Sequence, residues 1–256
     1  MLMNKYLKKL SRVEFIITYD CTGSCKHCSE GEHPYTGVHI DKNAAVEALC
    51  RIAGKYDIKA VMTFGGEPLL YTEAVFAIHS AARDLGIEKR QLITNGYFTN
   101  DEKKIKEVIS GLKESGVNDV LLSVDAFHQE TIPLAVVRKF AICAKEEGLP
   151  IKTSPAWLVS RKDKNPYNDR TKEILNGFYE TGIEEGGGNI VFKSGNAVKY
   201  LGEYFNSDKE YTDPYIEDPF DVKAVSIEPN GKLMSGNIYK EDALCILEGY
   251  SVGKYR

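Results

Sequence analysis

The sequence predicts an α/β fold: a partial (β/α)6 barrel of parallel strands with a small C-terminal cap. Short apolar runs alternate with helical stretches from residue 13 to about residue 195. Strands regularly followed by helices pair in parallel through right-handed crossovers. Six such units do not fill an eight-unit barrel, which leaves a partial barrel or an open doubly wound sheet. Beyond residue 200 the alternation stops, so 1–200 is read as the core and 201–256 as a cap within the same compact unit.

The elements follow in order. VEFIITYD (13–20) reads as the first strand, and NAAVEALCRIAGKY (43–56) as a helix reached through a cysteine-bearing loop. IKAVMTF (58–64) is the second strand, and the helix after it stops at Gly86. QLITNG is the third strand; the helix DEKKIKEVISGLKESG follows, with Asp101 placed to cap it. VNDVLLSVDAF is the fourth strand, and Pro133 opens the next helix at its first turn. IKTSPAWLVS reads as a fifth strand weakened in its middle by Pro155. A helix near 169–181 and the strand NIVFKSG complete the six units. Residues 201–220 are acidic, rich in tyrosine and carry two prolines, and read as a surface loop or a lid over the strand ends. KAVSIEPNGKLM then reads as a hairpin turning at Pro229-Asn230-Gly231, with a short helix near 240–249.

A formal charge of −4 over 256 residues gives no basic footprint for nucleic acid. No stretch approaches the roughly 20 apolar residues of a membrane span, and the start has no apolar run suited to a signal peptide. The expectation is a cytoplasmic protein with no nucleic-acid or membrane partner.

Six cysteines stand at 21, 25, 28, 50, 143 and 245. Cys50, Cys143 and Cys245 lie in helical stretches and read as small buried apolar side chains. Cys21, Cys25 and Cys28 share one short loop, CTGSCKHC, in which Gly23 allows a tight turn. Three close thiolates suit a cubane iron–sulfur cluster that leaves one iron open. Structural zinc wants four ligands, and His27 or His33 would have to supply the fourth.

In fold terms the unusual residues gather at the C-terminal ends of the strands, where chemistry collects in such folds. The cysteine loop follows the first strand, Gly65-Gly66-Glu67-Pro68 the second, Thr94-Asn95-Gly96 the third, and Ser123-Val124-Asp125 ends the fourth. Alternation places Ser123 and Asp125 on one strand face. His128, just beyond, is a candidate acid/base group.

Together these residues resemble the radical S-adenosylmethionine (radical SAM) superfamily, over roughly residues 13–195. The resemblance implies one [4Fe–4S] cluster on Cys21, Cys25 and Cys28, with SAM on the open iron. It also implies that His27 packs near the adenine and that Gly65, Gly66, Glu67 and Pro68 meet the SAM amino group. Asn95, Ser123 and Asp125 would lie near its ribose or carboxylate. The implied activity is reductive cleavage of SAM to a 5′-deoxyadenosyl radical, which takes hydrogen from a peptide or small metabolite. The reductant would be an external donor of flavodoxin or ferredoxin type. Glu228-Pro229-Asn230-Gly231 followed by Gly236-Asn237-Ile238 is similar to a degenerate SPASM extension, but the extra cysteines of that extension are missing. The other readings are an activase for a glycyl-radical enzyme and, from another class, an iron–sulfur electron carrier or zinc-stabilised binding module.

Overall fold

The computed structural model describes residues 4–32, 34–205 and 216–253; the expectations for His33 and for the middle half of the 201–220 segment lie outside the described residues. The first five strands come in the expected order: β1 (Arg12–Ile16), β2 (Ala60–Phe64), β3 (Lys89–Thr94), β4 (Asp119–Leu122) and β5 (Ile151–Thr153). All pair in parallel, each with the next in the chain. Four helices cross between or after them: α1 (Lys42–Ala53), α2 (Thr72–Asp84), α3 (Glu102–Ser115) and α5 (Leu134–Glu146), with a single turn, α4 (Ala126–Gln129), between β4 and α5. These helices pack in succession on the convex side of the sheet, α1 on α2, α2 on α3 and α3 on α5.

Alternation in β1 explains the two faces. Val13 and Phe15 are fully buried against the helices, whereas Arg12 and Glu14 point to the concave side. β2 is central and nearly all buried, as a parallel strand covered on both faces must be. Each fully buried side chain of the size of Phe15, Ile78 or Leu92 contributes roughly 1.5–3 kcal/mol. Asp101 caps α3 as its position predicts, its carboxylate accepting the Lys103 amide.

Three differences from the sequence reading matter. The expected fifth strand breaks at Pro155 into β5 and β6 (Ala156–Trp157), because proline offers no amide to the ladder. The sixth position is likewise split. After α6 (Pro166–Tyr179), β7 (Glu184–Glu185) pairs with β5, and β8 (Asn189–Ile190) pairs with β6. Only two residues of the expected strand 189–195 are extended; the rest turns into α7 (Gly195–Tyr200).

The third difference lies at the other edge. The expected hairpin is present, as β9 (Ala224–Ile227) and β10 (Lys232–Leu233) with Gly231 at a left-handed φ of 83°, followed by β11 (Gly236–Asn237) and α8 (Ala243–Glu248). However, β9 also pairs in parallel with β1. The sheet order is therefore β11-β10-β9-β1-β2-β3-β4-β5-β7, with β1 inside it, and among the described residues its two ends do not pair to close a barrel.

The lone cysteines need one correction. Cys143 is buried as expected, but Cys50 and Cys245 are exposed. In α1 the buried face is carried by Ala45, Ala48, Leu49 and Ile52, and in α8 by Ala243, Ile246 and Leu247. Cys50 follows Leu49 by one residue and Cys245 precedes Ile246 by one, about 100° round each helix from those neighbours.

Candidate cofactor site at the strand ends

Cys21, Cys25 and Cys28 line one cavity of about 230 Å³ at the C-terminal ends of the strands, together with His27, Gly65, Gly66, Asn95, Ser123 and His128. The sequence separated these residues by up to about a hundred positions; the parallel sheet brings them to one mouth. The cavity is also walled by Asn189, Val191 and Phe192, which the sequence reading did not single out.

The cysteine loop is held by backbone partners on every side. Thr22 donates its hydroxyl to the Tyr97 carbonyl at 2.6 Å, and the Ser24 amide donates to the Thr131 hydroxyl at 3.1 Å. The Asn95 amide group donates to the Thr22 hydroxyl at 3.1 Å and reaches Cys21 Sγ at 3.6 Å. Asp20, immediately before the first cysteine and fully buried, accepts the amides of Thr36 and Gly37 and the hydroxyls of Thr36 and Tyr71. Burial alone would raise this carboxyl, but those donors hold it below its usual range. Asp20 thus ties the segment after the third cysteine to the strand before the first, a role the sequence reading missed.

Gly65 and Gly66 have a reason beyond any ligand. A Cβ on Gly65, whose φ is +145°, would lie 2.3 Å from the Thr18 carbonyl oxygen, and one on Gly66 would lie 2.1 Å from that of Asp20. The end of β2 therefore lies against the backbone that leads into the cysteine loop, with the Gly66 and Glu67 amides donating to Thr18 and Asp20. Only glycine permits that approach.

Glu67, Pro68 and Asp125 are corrections of position. None of the three lines the cavity. Glu67 is fully buried and turned away; it accepts the Leu69 amide at 2.9 Å, the Thr94 hydroxyl at 2.7 Å and the Asn95 amide at 2.8 Å. Burial pushes its carboxyl up to about 7 against the pull of these donors. Pro68, also buried, opens a short 3-10 turn behind it. Asp125, fully buried, accepts the amides of Phe127 and His128 on one oxygen, and the Ala156 amide and His128 Nδ1 on the other. Desolvation would raise Asp125, but the neighbouring His128 holds it well below the usual carboxylate range. An ionised carboxylate only accepts, so Nδ1 of His128 donates the proton of that bond. Neither carboxylate reaches the cavity because the chain spends both on fixing strand ends.

His27 stands 4.7 Å from His128 and 4.9 Å from Phe127, ring centre to ring centre. Its Nδ1 is buried without a hydrogen-bond partner, and burial pushes the ring down to about 4, leaving it neutral.

The thiols fit a metal cluster. Burial pushes Cys21 up to about 11 and raises Cys25 and Cys28 as well, so the free thiols keep their protons, and a metal bound there would displace them as its thiolate ligands form. Among the described residues, the donors that converge within 4.8 Å are His27, Asp125 and His128, not the three sulfurs. A single zinc with Zn–S bonds of about 2.3 Å would draw its sulfurs closer than that, whereas a cubane spreads them over separate irons. The His27, Asp125 and His128 group is itself no metal site, because both Asp125 oxygens are already occupied by N–H donors.

The described chain has no helix long and apolar enough to cross a membrane. The family model of the radical SAM superfamily matches residues 15–206. GTP 3′,8-cyclase of Aquifex aeolicus (strain VF5) is 27% identical over 174 residues, covering 64% of this chain and 52% of that protein. The probable GTP 3′,8-cyclase of Sulfolobus acidocaldarius is 27% identical over 167 residues, covering 62% and 50%. The chain thus spans about half the length of these curated relatives. Among solved structures, Streptococcus suis SuiB bound to its precursor peptide SuiA superposes with a TM-score of 0.64 at 14% identity, covering 97% of this chain and 66% of that one. Native anSMEcpe with bound AdoMet superposes at 0.61 and 13% identity, covering 94% and 81%.

Proposed function

The chain belongs to the radical SAM superfamily, and from that premise we propose that it is a one-cluster enzyme that activates a C–H bond of a polar metabolite or peptide side chain. The observation that carries the proposal is the single cavity shared by the three thiols, Gly65-Gly66, Asn95 and Ser123. A [4Fe–4S] cluster with SAM supplies, after one-electron reduction by an external donor of flavodoxin or ferredoxin type, methionine and a 5′-deoxyadenosyl radical that takes a hydrogen atom from substrate.

The protein's own work is to hold and orient. Cys21, Cys25 and Cys28 would bind three irons. The backbone of Gly65 and Gly66, with Asn95 and Ser123, would orient the methionine and ribose parts of SAM, and His27 would complete its unpartnered Nδ1 near the adenine. His128, held through Nδ1 by Asp125, lines the same cavity. Glu67 and Asp125 act behind the wall, keeping the ends of β3 and β4 in place.

For the substrate, a second cavity of about 650 Å³ shares Ser29, Phe64, Ile93 and Ser154 with the first and extends along the concave face. Arg12, Glu14, Gln91 and Lys152 line it. Arg12 pairs with Glu14 at 2.6 Å, and Lys152 with Asp119 at 2.9 Å. A chamber of paired charges favours a polar substrate over a lipid-like one. The names of the GTP 3′,8-cyclase relatives support a small molecule, and the SuiA complex supports a peptide.

Anaerobic reconstitution tests the reading. The protein should bind about four irons, the content of one cubane, and release 5′-deoxyadenosine when SAM and dithionite are added. Alanine at Cys21, Cys25 or Cys28 should remove the iron. Full iron retention in all three variants would overturn the assignment.

A further inference from the structure

The first turn of α7 grips the cysteine loop. The Asn196 side chain donates to the carbonyl oxygens of Cys25 at 3.1 Å and Gly31 at 3.2 Å, and its backbone amide donates to that of Cys28 at 2.9 Å. Asn196 is only 7% exposed, so these bonds are sheltered from water. Gly195, at a φ of +51°, lies so close that a Cβ would stand 2.3 Å from the Ser29 carbonyl oxygen and 2.5 Å from that of Cys28. The contact is therefore backbone against backbone, across more than 160 residues of chain. Its reach also runs the other way, since Asn189 and Phe192, a few residues before Asn196, wall the same cavity as the thiols.

We propose that Asn196 is a positioning residue that latches the cysteine loop to the cavity wall, so that the shape of the cluster loop and the wall that meets SAM move as one. The inference rests on the cluster reading above, and Asn196 itself does not line the cavity. With three carbonyls of the loop drawn outward to Gly195-Asn196, the thiols of Cys25 and Cys28 are left facing the cavity. Without the side-chain donor, the carbonyls of Cys25 and Gly31 lose their Asn196 partner in a buried place, and the loop must shift to reach water.

The test uses the reconstituted full chain with Asn196→Ala, Asn196→Asp and Asn196→Ser. Aspartate keeps the volume but offers acceptors where donors are needed; serine restores one donor. Lys199→Ala, which removes the surface pair between Lys199 and Glu32 and the contact with the Tyr200 ring but leaves Asn196 in place, is the control. Iron release to a chelator should be about fivefold faster in the Ala and Asp variants, the factor expected for a hydrogen bond of typical net strength. It should be intermediate in Ser and unchanged in Lys199→Ala. The EPR spectrum of the reduced cluster should respond to SAM less in Ala and Asp than in wild type, a readout that a purely structural loss would leave alone. Wild-type release rates and SAM-induced spectra in both the Ala and Asp variants would overturn the latch while leaving the cluster assignment standing. Failure of the wild-type chain itself to take up iron would overturn both. Should Asn196→Ala not fold, the aspartate and serine variants decide the matter.

Discussion

Glu67 is the place where stability, pH and the cofactor site meet. Replacing it by alanine leaves the buried amides of Leu69 and Asn95 without the acceptor they now use. At about 1–3 kcal/mol for each orphaned donor, the variant should be less stable by about 2–6 kcal/mol at pH 5. The gap should then narrow with pH. The folded carboxyl is raised to about 7 from an ordinary value of 4.5. Stability from the neutral form is therefore fully present below about pH 4.5 and is lost as pH rises through 7. Full ionisation costs the wild type about 3 kcal/mol by pH 8, a penalty that alanine does not carry. Urea unfolding of the iron-free protein at pH 5, 6, 7 and 8 measures both quantities. A gap that stays constant or widens with pH would refute the account of a buried carboxylate held against its desolvation. Because Asn95 lines the cavity and hangs from Glu67, SAM affinity of reconstituted variant should fall as well.

Three other outcomes are expected. Gly66→Ala places a Cβ against the Asp20 carbonyl, so overpacking of about 1–3 kcal/mol should appear in unfolding curves and iron uptake should drop. Asp125→Asn removes a carboxylate held low; the stability it gives is fully present above the ordinary carboxylate range and is lost only as pH falls below that range through the depressed folded value, so wild type and variant should differ fully at pH 7 and the gap should only begin to close at pH 3 in the same assay. Alanine at Cys50, Cys143 and Cys245 together should leave iron content unchanged, since two of these thiols are exposed on outer helices and the third is buried among apolar side chains; iron near eight per chain, falling by half in the triple variant, would count against a single cluster.

The strand–helix alternation was legible because each unit is local. Asp101 and Gly86 mark helix ends through chemistry that acts over a few residues, and the structure uses both. Pro155 was read as a weak point and is a true break. Glu184–Glu185 escaped notice because an exposed two-residue strand has neither apolar alternation nor β-branched side chains to signal it. The pairing of β9 with β1 joins residues more than two hundred positions apart, and the run AVSI reads equally well as a hairpin arm. In the site, the three cysteines and two glycines announce themselves by spacing. Glu67 and Asp125 were legible as important but not as to direction, because whether a carboxylate faces ligand or strand end is decided by donors elsewhere: Thr94 and Asn95 for one, Ala156 and His128 for the other. Asp20 and Asn196 carry no pattern at all; an aspartate at a strand end and an asparagine after Ser-Gly are ordinary turn residues until the fold brings carbonyls and amides to them.

The pairing of β9 with β1 has a consequence in time. During synthesis, the strand that feeds the cysteine loop leaves the ribosome before either of its partners, and β2, on one side, follows soon after. Its partner on the other side emerges some two hundred residues later. Through that interval β1 has one row of amides and carbonyls unanswered, the condition in which an edge strand recruits the wrong neighbour. The loop latch at Asn196 also arrives late. Until residues 224–227 emerge, a nascent chain thus carries its three thiols just beyond a strand open along one side, and metal delivered before those residues have docked would meet a loop not yet braced from that side.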